Sequence, residues 1–90
     1  MLYFIDKKRK IMNNFDINKI KEIIIGEIPE GEINGKNQTF LLNYIPLSDS
    51  VRVYINGCRL QNKEFKIADH YLILNNVLMV GDEILVDYLR

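Results

Sequence analysis

Ninety residues make room for one domain, and a chain this short buries only about 60–65% of the surface it exposes when unfolded, so its stability is modest unless subunits support one another. With 48% hydrophobic and 27% charged residues at zero net charge, the composition is that of a globule and excludes a disordered chain. A single cysteine and a single histidine exclude an internal disulfide and a structural Cys/His zinc site, and no apolar run approaches the roughly 18 residues that cross a bilayer.

The chain opens on a short apolar and aromatic run, Leu2, Tyr3, Phe4 and Ile5, followed by Lys7, Lys8, Arg9 and Lys10. A signal peptide has these features in the reverse order and a longer apolar core, so the expectation is a protein made in the cytoplasm. Residues 1–21 hold six bases against two acids, a net +4, and residues 22–90 hold six bases against ten acids, a net −4. This division reads as a basic N-terminal arm, residues 1–21, on an acidic module, residues 22–90. Such an arm suits an acidic protein surface, for example a neighbouring copy of the chain. Four bases beside Tyr3 and Phe4 also fit phosphates and stacked bases, but the acidic body repels a nucleic-acid backbone.

Over residues 16–25 the apolar positions Ile17, Ile20, Ile23 and Ile24 fall three and four apart behind a capping Asp16, the pattern of about two helical turns. The β-branched run Ile23, Ile24, Ile25 supports a competing reading as the start of the first core strand. From Gly26 onward the signals are short strands separated by turn residues every 8–12 positions or so, as in a sandwich or barrel. Pro29 and Gly31 mark a loop and Asn34-Gly35 a turn. Residues 38–42 form a strand, and Pro46 to Ser50 the next connection. Val51, Val53 and Ile55 alternate with Arg52 and Tyr54, which places the two sets on opposite faces. Asn56-Gly57 is the hairpin turn, because a two-residue type I′ loop requires positive φ at both positions. Residues 64–68 and 71–74 form two further strands around Asp69-His70. Residues 77–80 form an apolar loop packed on the end of the core, and residues 83–89 form a closing strand with Ile84, Val86 and Tyr88 on one side.

No constellation in the sequence commits to catalysis, so the chain reads as a non-enzyme without cofactor or metal. Asp69 and His70 are neighbours on a turn and seldom point at one another. Cys58 beside Arg59 lacks a second group to complete a nucleophile–base pair and reads as a half-buried inert thiol. The acids Glu27, Glu30, Glu32, Asp82 and Glu83 lie in loops that could meet at one end of a sandwich, but they lack the spacing of a calcium loop or of a glycosidase pair. Gly31 to Gly35 lacks the Lys-Ser/Thr that completes a phosphate loop. Tyr44, Tyr54, Tyr71 and Tyr88 are spread over different strands, which favours packing over a sugar platform.

The order of turns and strands carries a resemblance. The pattern Glu27-Ile-Pro-Glu-Gly31, then Ile33-Asn34-Gly35-Lys36-Asn37-Gln38-Thr39-Phe40-Leu41-Leu42, Pro46, Ser50-Val-Arg-Val-Tyr-Ile-Asn-Gly57 and Gly81-Asp82-Glu83-Ile84-Leu85-Val86-Asp87-Tyr88 resembles a small β-sandwich module of tailed-bacteriophage virion proteins. The match covers about residues 27–89. The family's aspartate–tyrosine pair before the third hairpin strand stands here as Glu64-Phe65. The resemblance implies an all-β, small antiparallel β-sandwich, Ig-like or jelly-roll-like, here with an N-terminal arm and a short helix as one reading of residues 16–25. It implies a structural part of a tail, neck, fibre or capsid surface, present in several copies. The expected partners are other virion proteins and copies of itself, with no nucleic acid and no membrane, and the expected location is the virion. The assembly arm is then Leu2, Tyr3, Phe4, Ile5, Lys7, Lys8, Arg9 and Lys10, with residues 2–5 adding to a neighbour's sheet. The alternative is a carbohydrate- or host-receptor-binding module that uses the loops and tyrosines.

Overall fold

The computed structural model describes residues 19–90. Among the described residues seven strands follow one another: β1 (Ile23–Glu27), β2 (Thr39–Leu41), β3 (Arg52–Ile55), β4 (Cys58–Arg59), β5 (Phe65–Ala68), β6 (Tyr71–Leu74) and β7 (Ile84–Leu89), with a 3₁₀ turn at Asn62–Glu64 before β5. They form two antiparallel sheets, ordered β1-β7-β3-β4 and β2-β6-β5, packed as an all-β sandwich.

The period-2 patterns explain how the sheets meet. In β7 the inward residues Ile84, Val86 and Tyr88 are buried while Leu85 and Asp87 between them are not. Val51 and Val53 from β3 and its approach join them from the same sheet, and Phe40, Leu72 and Leu74 face them from the other. Tyr88, Phe40, Leu72, Val53 and Val86 are the largest side chains with essentially no exposure. Gly31 permits one close approach in this core: a Cβ there would lie 2.6 Å from Cδ2 of Phe40.

Asn56 and Gly57 take φ of 53° and 82°, and Ile55 pairs with Cys58 across them, the expected hairpin. The second hairpin turns on Asp69, φ 55°, with Ala68 paired to Tyr71. Of the two readings left open for residues 16–25, residues 23–25 take the strand, β1, because pairing with β7 gives their β-branched side chains a sheet to join; residues 16–18 lie outside the described residues. One expectation is corrected. In the 77–80 loop only Leu78 is buried, while Met79 and Val80 are 60% and 82% exposed. The loop seals the core through one side chain because Gly35 N–H holds the Leu78 carbonyl at 2.8 Å.

Candidate assembly interface

Strand β1 is the outermost strand of its sheet, and its backbone bonding is fixed by its neighbour β7. Glu22 and Arg90 exchange both N–H···O bonds, at 3.1 and 3.0 Å. Ile23 and Leu89 are therefore a non-hydrogen-bonded pair, and Ile24 with Tyr88 the next bonded one. The two groups across a trans peptide point in opposite directions. With the Glu22 carbonyl and the Ile24 N–H both turned to β7, the N–H and C=O of Ile23 face the open side. The register slips at the bulge between Ile24 and Glu27, where Gly26 takes φ 68° and donates its N–H to Asp87 Oδ1 at 2.7 Å. That turns the Ile25 carbonyl outward as well, alongside its N–H. Four backbone groups of Ile23 and Ile25 thus line an edge that no other described residue pairs with. Their side chains are 65% and 72% exposed, and on the same outer face of the sheet stand Leu85 and Leu89 of β7.

The position of β1 is held by side chains at its ends. The Tyr88 hydroxyl donates to Glu27 Oε1 at 2.6 Å and accepts the Tyr44 N–H at 3.3 Å, while Glu27 Oε2 accepts the Asn43 N–H at 2.8 Å. Both carboxylate oxygens of Glu27 are therefore engaged in joining β1, β7 and the β2–β3 connection. Burial, together with the Glu27 carboxylate, holds the Tyr88 phenol protonated well above the ordinary tyrosine range. At the other end Arg90 donates Nε to Glu22 Oε1 at 2.8 Å, and its guanidinium lies 3.8 Å over the Tyr44 ring.

The opposite side of the sandwich is open differently. Strand β4 is only two residues long, and β5 is the edge of the second sheet. Beside β5 a cleft of about 330 Å³ is lined by residues 46–49 of the β2–β3 connection, Val51 and Arg52, and by Asn62, Phe65, Lys66 and Ile67. Arg52 Nη1 is tied to the carbonyls of Asp49 and Val51 at 3.2 and 3.0 Å.

The residues singled out from the sequence fall as follows. Leu2, Tyr3, Phe4, Ile5, Lys7, Lys8, Arg9 and Lys10 lie outside the described residues. Asn56 and Gly57 form their turn, and Asn56 adds a role that its spacing gave no sign of: its Oδ1 accepts the Glu83 N–H at 2.8 Å and its Nδ2 donates to Asp82 Oδ1 at 3.0 Å. That bond, with the Met79 N–H on Asp82 Oδ2, holds the Asp82 carboxyl below its ordinary range. The loop acids are not gathered into one cluster, since Glu27 is tied to Tyr88 and Asp82 to Asn56. Among the described residues no group of three or more His, Cys, Asp or Glu is placed to hold a metal ion. Cys58 is exposed and not half-buried, because its strand is a two-residue edge that no other described residue covers. His70 stacks on Tyr71 with centroids 4.9 Å apart. Tyr54 and Tyr71 project from opposite outer faces, each being next in its strand to a fully buried residue, Val53 and Leu72. The open edge at Ile23 and Ile25 is not among the sequence expectations, since the β-branched run signals a strand but not its place in a sheet.

No family model matches the chain, and no curated protein matches it significantly. The class of fold is a small antiparallel β-sandwich in which, among the described residues, β1 ends its sheet.

Proposed function

We propose that this chain is a structural component of a tailed-bacteriophage virion, in a tail, neck, fibre or capsid surface, assembling in several copies through its N-terminal arm and sheet edges. The observation that carries the reading is the outer edge of β1. Natural sandwiches guard such edges with charges or prolines, or cover them, whereas here two exposed isoleucines present four backbone groups that have no partner among the described residues. An edge of this kind suits β-augmentation by another chain. The order of motifs from Glu27 to Tyr88 supports the choice of virion over other assemblies, and the split of charge between arm and module supports attachment by the arm. In this reading the chain binds and does not catalyse.

The test is co-expression with the products of the genes on either side, followed by sedimentation of the assembled particles. The full chain should travel with the particles. A chain shortened to begin at Lys19 should keep the strand signature of the module in circular dichroism and be lost from the particles. Normal incorporation of the shortened chain would remove the arm from the mechanism, and neighbours unrelated to particle assembly would remove the virion.

A further inference from the structure

The proposed reading leaves open what meets the β1 edge, and the geometry names an occupant. We infer that β1 pairs antiparallel with β1 of a second copy about a two-fold axis at Ile24, and that Lys19 and Lys21 of each copy then meet the acidic loop of the other. This inference rests on the assembly reading and specifies its first step.

The register follows from the outward groups. Only Ile23 and Ile25 present both N–H and C=O to the open side, and they are two residues apart. In an antiparallel pair such residues bond when Ile23 of one copy stands opposite Ile25 of the other. The two-fold axis then passes between the two Ile24 residues, and four N–H···O bonds form. This alignment joins the two four-stranded sheets into one of eight strands. On its outer face Ile23 of one copy lies between its own Leu89 and Ile25 of the other, so the exposed isoleucines become cross-strand neighbours.

The chain on either side of the paired segment gives a second, independent reason for a like partner. Antiparallel alignment carries residues before Ile23 past the residues after Ile25 of the second copy. Lys21 comes opposite Glu27 and Lys19 opposite Pro29, next to the exposed Glu30 and Glu32. Lys7, Lys8, Arg9 and Lys10 precede them in the sequence. Residues 1–21 carry +4 and the module −4, a complementarity that the same chain twice supplies and an unrelated apolar strand does not. The bulge at Gly26 limits the strand pairing to its short span, so the electrostatic part carries a sizeable share of the affinity.

The experiment uses the full chain in analytical ultracentrifugation. The expected mass is that of two 10.6-kDa chains, with dissociation favoured as ionic strength rises from about 0.1 M to about 1 M, where the Debye length shortens from about 10 Å to about 3 Å. Ile25→Lys should give a single-chain mass, and Ile45→Lys, at a comparably exposed position in the β2–β3 connection, should leave the two-chain mass intact. Ile24→Cys in a Cys58→Ser background reads the register itself. The two Ile24 Cα atoms would stand about 4.5 Å apart as a non-hydrogen-bonded pair, within disulfide range, so mild oxidation should yield a covalent dimer. A single-chain mass for the full chain overturns the inference, whether water or the chain's own N-terminal residues occupy the edge. A two-chain mass that survives Ile25→Lys, without the Ile24→Cys crosslink, also overturns it, yet leaves assembly through another surface standing. Failure of the assembly reading shows separately, as loss of particle association.

Discussion

Replacing Tyr88 by phenylalanine tests how the open strand is held. The substitution keeps the ring in the core, where Tyr88 is 1% exposed, and removes one oxygen that serves two bonds, to Glu27 Oε1 at 2.6 Å and from the Tyr44 N–H at 3.3 Å. A hydrogen bond to a charged group contributes about 1.5–3 kcal/mol. Glu27 is only half-buried and keeps Asn43 as a partner, so water partly replaces the phenol and a loss of about 2 kcal/mol is expected. The pH dependence gives a signature that a simple packing defect lacks. The phenol's pKa is raised in the folded state, chiefly by burial and then by Glu27. Below about pH 10 folded and unfolded chains both carry the proton, and the stabilisation is complete. Above that value the unfolded chain releases the proton and the folded one retains it, so stability falls by about 1.4 kcal/mol per pH unit. Urea unfolding followed by circular dichroism, for both chains from pH 7 to pH 11, should show an advantage of about 2 kcal/mol at pH 7 that has mostly vanished by about pH 11. Other titrating groups are common to both chains and cancel in the difference. A difference below about 0.5 kcal/mol at pH 7 would refute the argument, as would one that stays constant over the whole range.

Three further outcomes follow from particular contacts. Gly31→Ala forces a methyl against Phe40 Cδ2 at 2.6 Å and Cε2 at 3.1 Å and should cost about 1–3 kcal/mol in urea unfolding, since Phe40 is itself buried and has little room to give. Leu72→Ala, at the centre of the core, should cost about 2–5 kcal/mol, whereas Leu85→Ala, 38% exposed on the outer face, should change stability by less than about 1 kcal/mol; equal losses would place the core wrongly. Asn56→Gly keeps a residue that accepts positive φ and removes both side-chain bonds to residues 82 and 83. The Asp82 carboxyl should then titrate nearer its ordinary value in an NMR pH series, with the hairpin retained. In the wild-type chain the stabilisation linked to Asp82 is present above the ordinary carboxyl range and declines as pH falls through its lowered value.

The strand periods and turn chemistry were legible in the sequence because each is a local effect. The alternation of Ile84, Val86 and Tyr88 against Leu85 and Asp87 marks one buried face whatever the partner sheet is, and Asn56-Gly57 fits a type I′ turn on φ alone. The charge split between residues 1–21 and 22–90 is likewise legible from the sequence alone. Long-range pairing decided the rest. Residues 16–25 carry a helical spacing and a β-branched run together, and pairing of Ile23 and Ile24 with Leu89 and Tyr88, more than sixty positions away, made the second decisive. The engagement of Glu27 by Tyr88 and the capture of the Gly26 N–H by Asp87 are also contacts across that distance. The open edge belongs to this second kind. A strand is an edge only by virtue of where the other strands lie, so no property of residues 23–25 alone could reveal that their outward N–H and C=O groups are left without a neighbour among the described residues.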